Sequence, residues 1–426
     1  MGILIFAIIV SLFFWLTFKN MSYAVTVFIC MFAAEQWGTI YLPFIAQNGT
    51  LFNTLVLCLL AVSWFRIPAG ATIEIIQYPI RLLLISLLFY TLVSTIWSPF
   101  EASATQRLSD ASYYLVAALL IAPLLLRKPE DFTRMLDAVN WLGGAIVIAF
   151  AYIPSFDGRS VAASDAVFTE DALSLPLALS TFSGVVAIVS VIRVKKSPIH
   201  ILWAVFVFGS AVYLQVKTGS RGQFAFTLAA IMFCLPTLWK GFSVNRVFLY
   251  CLAALLIAAT IFVVVNTENT LSARLGADSV DGAIGGRFES AIVMLDLWST
   301  DFTTIIFGLG SSASWAVIDV YIHNVTLEVL AELGLIGFLL LSLAVTWIIQ
   351  LGYSGKVRRQ LSIDSARDFA ALFGCWLLAY LTSFKQGAMI GSVDLFFYAA
   401  LLEKCVMIGQ LSFLEKGKKR KRRKRR

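Results

Sequence analysis

Residues 323–351 read HNVTLEVLAELGLIGFLLLSLAVTWIIQL, and they decide the class of fold. After the polar pair His323-Asn324, the run from Val325 to Leu351 is broken by only two ionisable residues, Glu328 and Glu332. An α-helix rises ~1.5 Å per residue, so ~20 such residues cross the ~30 Å hydrocarbon core of a bilayer. A run this long and this apolar reads as a membrane span.

Working outward, comparable runs lie near residues 3–18, 22–42, 50–65, 80–97, 111–126, 135–154, 173–192, 199–216, 222–239, 247–265, 366–384 and 392–411. The expected fold is therefore all-α: a polytopic membrane bundle of 12 or 13 transmembrane helices over residues 1–411, the uncertainty lying in the first hairpin around Lys19 and Asn20. Composition agrees, because 59% of the 426 residues are hydrophobic and 14% charged, where soluble domains run to about a quarter charged. A water-soluble fold is excluded on that ground. The N-terminus has no basic region and no small-residue cleavage signature, so it is expected to stay as a span. Six cysteines sit within apolar stretches without CxxC spacing, which argues against a disulfide framework or a zinc cluster.

The formal charge of +8 belongs to the tail, where ten of the eleven residues Lys416–Arg426 are basic. Without them 23 Lys and Arg face 25 Asp and Glu, a net charge of −2. A basic run directly after an apolar span fits a cytoplasmic tail, residues 412–426, in contact with anionic membrane lipids rather than with nucleic acid. Short-loop basic clusters recur after every second run, at Lys19, Arg66 and Arg81, Arg127 to Arg134, Arg193 to Lys196, Lys240 and Arg246, and Lys356 to Arg367. The positive-inside rule places these in the cytoplasm. The alternate loops then face the other side, and two are large: about 155–172 and about 266–324. Structureless connections beyond ~15 residues are uncommon, so the second is expected to fold as a small cap. Within it Phe288, Ala291, Ile292, Leu295 and Trp298 recur at helical spacing, predicting a helix that lies at the membrane interface or packs on the bundle.

Three residues on that outer side carry the candidate chemistry. Arg221 stands in Thr218-Gly219-Ser220-Arg221-Gly222 at the start of a span, Arg287 follows Gly285-Gly286 at the start of the cap helix, and His323 precedes the 325–351 span. All sit beside helix N-termini, whose free N–H groups and dipole attract anions. Arginine adds a planar charged fork that matches phosphate oxygens. The sum is a pyrophosphate cradle. Asn324 is a good N-cap, and Glu328, with Glu332 one turn beyond, is placed either to orient the histidine or to form an interhelical ion pair. Gly334 and Gly337 favour close helix packing. His200, on the cytoplasmic side, reads as structural. The pairs Asp278/Asp281 and Glu170/Asp171 are too sparse for a magnesium site, so neither metal nor cofactor is expected.

The multi-span plan, Ser220-Arg221-Gly222, Gly286-Arg287 followed by Trp298 and Gly308-Leu309-Gly310, and the run His323-Asn324, Leu327-Glu328, Glu332, Gly334, Gly337 together resemble the O-antigen ligase and polymerase superfamily of bacterial membrane glycosyltransferases. The motif-bearing part covers about residues 205–345. The resemblance implies a GT-C-like bundle in the bacterial inner membrane with a periplasmic active site. It implies transfer of a glycan from an undecaprenyl-pyrophosphate carrier to an acceptor hydroxyl, with His323 as general base and Arg221 and Arg287 as pyrophosphate ligands. Arg159, in Asp157-Gly158-Arg159-Ser160, is a possible further ligand. Such a displacement needs a proton acceptor and charge stabilisation on the leaving oxygens, and cationic neighbours favour the neutral imidazole a base requires. Attack opposite the leaving group would invert the anomeric centre without a metal. The acceptor would be lipid A-core for a ligase, the first expectation, or a growing glycan for a repeat-unit polymerase. A flippase for lipid-linked oligosaccharide is the third reading, disfavoured because midplane polar sites and an internal repeat are missing.

Overall fold

The computed structural model describes residues 2–67, 78–153, 155–157, 160–162, 175–195, 197–218, 220–234, 289–385 and 388–424. For 155–157, 160–162, 175–177, Arg221, Lys356, Arg358 and 414–424 it describes the backbone alone. Among these residues eight helices are long and apolar enough to cross a membrane: Gly2–Lys19, Met21–Tyr41, Pro79–Trp97, Glu101–Leu125, Pro129–Tyr152, Pro198–Lys217, Val325–Tyr353 and Val393–Phe413. Shorter apolar helices at Gly49–Phe65, Ala178–Ile192 and Gly222–Cys234 join them. The protein is thus a multi-pass membrane helical bundle. Its only described strands, Ser155–Asp157 and Ser160–Ala162, form a small antiparallel ribbon with Phe156 opposite Val161.

Local chemistry explains the helix starts. Pro79, Pro129 and Pro198 each occupy a first helical position, where the missing N–H costs nothing. Asn20 caps Met21–Tyr41 by accepting from the Ser22 N–H, which ties the first two helices into a tight hairpin. The predicted run at 247–265 lies outside the described residues. The helix Val393–Lys424 continues past residue 411 into the basic tail.

The run near 111–126 belongs to a helix that begins ten residues earlier, at Glu101. The stretch EASATQRLSD is too polar to register as part of a span, yet it is helical and carries Arg107 inward with it.

The helix Ile363–Ser383 is central despite Asp364, Arg367 and Asp368. Phe369, Phe373, Trp376 and Tyr380 stack in sequence along one side of it, with successive ring centroids 6.3, 5.9 and 5.4 Å apart. Its buried charge is matched: Asp368 accepts from Arg193 and from the Thr133 hydroxyl, while Asp137 binds both Arg193 and Lys195. Buried ions persist only when paired in this way. This cluster lies at the end of the bundle opposite His323.

Candidate functional site

The helix Val325–Tyr353 is not continuous. Gly334 has φ +64° and ψ −165°, a region that essentially only glycine enters. The short N-terminal piece, from Val325 to Leu333, is thereby jointed to the longer C-terminal one. A break inside a membrane frees carbonyl groups that must find donors, and the 289–322 cap supplies them. Leu309 N–H donates to the Ala331 carbonyl at 3.0 Å and Gly310 N–H to the Glu332 carbonyl at 2.8 Å. The approach is so close that a Cβ on Gly334 would sit 2.4 Å from the Ile306 carbonyl oxygen, and one on Gly308 2.2 Å from that of Glu332. The reading of Gly334 as a helix-packing glycine is therefore corrected: it is a joint, and what packs against it is cap backbone.

Glu332 completes the lock. Its carboxylate accepts from the Ser312 N–H at 2.7 Å, the Ser314 N–H at 3.1 Å and the Ser314 hydroxyl at 2.7 Å. Three donors on one buried carboxylate explain why this acid is tolerated in a span. The cap is anchored further by Tyr90 donating to the Phe307 carbonyl and Ser98 to that of Ser311. Its own small core consists of Ala291, Met294, Ala313, Ile322 and Ala331, with Trp298 against it. The predicted stripe thus divides: Ala291 and Trp298 pack inward together with Met294, Leu295 is half-buried, Ile292 is exposed along with Val293 and Leu297, and Phe288 lies outside the described residues.

His323 is half-buried and has φ +57°; among the described residues the other non-glycine residues with positive φ are Ser312 and Asp319, both in the cap. Directly after it Asn324 is the N-cap, its Oδ1 accepting from Thr326 and Leu327 N–H at 3.1 and 3.2 Å. Glu328 is buried. Its Oε1 accepts from the Met389 N–H at 3.1 Å, and its Oε2 has no hydrogen-bond partner among the described residues. The ion-pair alternative for Glu328 finds no salt bridge among the described residues; instead the acid binds the backbone of the 384–392 connection.

Two cations that sequence reading missed stand at this end of the bundle. The Arg107 guanidinium lies 3.9 Å from the centre of the Trp315 ring and 5.2 Å from that of Tyr321, with Trp315 edge-on to Tyr321. Its Nη1 is buried without a hydrogen-bond partner among the described residues, and its charge acts on Glu328 and Glu332. Burial pushes the Tyr321 phenol above its usual range while Arg107 pulls it back. Lys385, in the same connection as Met389, packs across the start of Arg221–Cys234, its Nζ 2.7 Å from where a Gly222 Cβ would be. Four residues span at most ~14 Å, so Lys385 and Met389 hold the Gly222 and Glu328 helix ends in one neighbourhood. The signals were a polar helical extension at 101–110 and a lone lysine in the otherwise neutral 384–392 connection.

The structure therefore places His323, Asn324 and Glu328 at one helix end, linked through the 384–392 connection to the backbone start of the Arg221 helix. Arg287 and Arg159 lie outside the described residues, as do Asp278, Asp281, Glu170 and Asp171. Comparison with protein-family models finds no match, and comparison with curated proteins finds none.

Proposed function

We propose that the chain is a membrane glycosyltransferase that moves a glycan from an undecaprenyl-pyrophosphate carrier to an acceptor hydroxyl at the periplasmic face of the bacterial inner membrane, in the manner of an O-antigen ligase. The observation that carries the reading is His323 in a left-handed turn immediately before the Asn324 N-cap of a broken membrane helix, at the bundle end where Arg107, Lys385 and the Arg221 helix start also stand. A base in a rigid turn among cations suits displacement at a sugar–pyrophosphate bond.

In the proposed reaction the acceptor oxygen forms a bond to the anomeric carbon as the bond from that carbon to the pyrophosphate oxygen breaks. His323 takes the acceptor proton. The lipid pyrophosphate leaves with its charge met by Arg221 and Arg287, in a field to which Lys385 contributes. Glu328 and Asn324 hold the turn and the helix start in position.

The test uses purified protein in nanodiscs with a labelled carrier-linked donor, no ion gradient, and either lipid A-core or a second donor molecule as acceptor. Transfer to lipid A-core is expected, and chain extension on the carrier would instead favour the polymerase reading. His323→Ala should lower the rate by ~10²–10⁴-fold, the usual worth of general base catalysis. An unchanged rate would remove His323 from the reaction, and movement of donor across the bilayer without transfer would replace it with transport.

A further inference from the structure

The 388–392 turn, whose Gly391 and Ser392 line it, borders a cavity of about 310 Å³ bounded by Met21–Tyr41, Leu175–Ile192, Ile363–Ser383 and Val393–Lys424. Two of its groups are unspent. Asp394 is exposed to the cavity, and neither carboxylate oxygen has a hydrogen-bond or ion-pair partner among the described residues. Thr382 is 8% exposed, and its hydroxyl also has no partner among them. Phe32, Phe182 and Tyr398 supply aromatic walls. A carboxylate in a membrane span is costly unless something occupies its lone pairs.

We propose that this cavity is a subsite for a single sugar ring, that of the acceptor. The term acceptor rests on the glycosyl-transfer reading above; the sugar ring does not. A carboxylate accepts from two neighbouring ring hydroxyls at once, a threonine hydroxyl both donates and accepts, and aromatic rings cover the apolar C–H face of a pyranose. The volume is at the small end of the ~300–1,000 Å³ found for ligand pockets, which suits one ring. The connection that lines the cavity through Gly391 and Ser392 donates to Glu328 through Met389. Filling the cavity therefore bears directly on the connection that binds Glu328.

The experiment is saturation-transfer NMR on the full chain in nanodiscs, with the methyl glycosides of glucose, galactose, mannose and N-acetylglucosamine as probes. At least one should show transfer from the wild-type protein. Asp394→Ala should weaken it about tenfold or more, and Thr382→Val several-fold, in preparations whose gel-filtration profile and thermal unfolding match the wild type. Should Asp394→Ala unfold, Asp394→Asn and Thr382→Val carry the test. No signal with any of the four, or equal signal in the variants, overturns the subsite, as does a signal that sodium ions displace in wild type and Thr382→Val alike. The transfer reaction is read separately: glycoside binding without glycan transfer sinks the reaction and leaves the sugar site, and transfer with no glycoside binding does the reverse.

Discussion

Replacing Gly334 by alanine should be among the most damaging single-methyl changes in this protein. Two costs add. The backbone at φ +64° and ψ −165° is strained for any residue with a Cβ, by ~1–3 kcal/mol. The new methyl would lie 2.4 Å from the Ile306 carbonyl oxygen and 2.5 Å from the Gly308 nitrogen, both backbone atoms that cannot rotate away, adding an overpacking cost of ~1–3 kcal/mol. The sum, about 2–6 kcal/mol, compares with the ~5–15 kcal/mol that holds a typical protein folded. Relief by sliding the cap outward would stretch the Leu309–Ala331 and Gly310–Glu332 hydrogen bonds and loosen the Ser312 and Ser314 clamp on Glu332. Thermal unfolding in detergent, followed by tryptophan fluorescence and by survival on gel filtration, reads the effect. Gly209→Ala is the control, since a Cβ there meets nothing within 4 Å and mid-helix alanine should stabilise by ~0.5–1 kcal/mol. If Gly334→Ala unfolds at or above the Gly209→Ala temperature, the jointed helix and its backbone lock are wrong.

Glu332→Gln should cost ~1–3 kcal/mol, because an amide nitrogen would face one of the three donors the carboxylate now accepts and leave it unpaired; the same unfolding assay measures it, and Glu332→Asp should not rescue. Asn324→Ala should lose ~0.5–2 kcal/mol, the usual worth of an N-cap, with Asn324→Asp close to wild type. Arg107→Lys should destabilise by ~0.5–2 kcal/mol, since lysine keeps the charge but not the planar stack on Trp315; equal stability would mean that the guanidinium contributes charge alone.

How much of the site could be read in advance depends on how local its causes are. Asn324 as an N-cap was legible because the signal is one polar residue before an apolar run, and the structure shows its Oδ1 accepting from Thr326 and Leu327. Glu332 was visible only as an oddity, since its three donors come from Ser312 and Ser314 in a segment with no periodicity. Gly334 looked like any small residue in a span, because sequence reports that a Cβ is missing and not which backbone crosses there. Arg107 was hidden by the polarity of its own helix. Lys385 stood in a turn whose partner, the start of the Arg221 helix, is more than 150 residues away.

The sequence by itself determined the medium and the element type: runs of ~20 apolar residues can be buried only in a bilayer, and in a bilayer each run must satisfy its backbone internally as helix. It also determined where several of those helices begin, because capping and proline chemistry act within four residues. Only the tertiary structure decided that the span after His323 is broken at Gly334 and sealed by cap backbone. Only it decided that Arg107 and Lys385 stand at the His323 end, and that Asp394 and Thr382 face a shared cavity. Those facts depend on which distant segments meet, and the apolar faces of membrane helices are too alike for their own residues to specify that pairing.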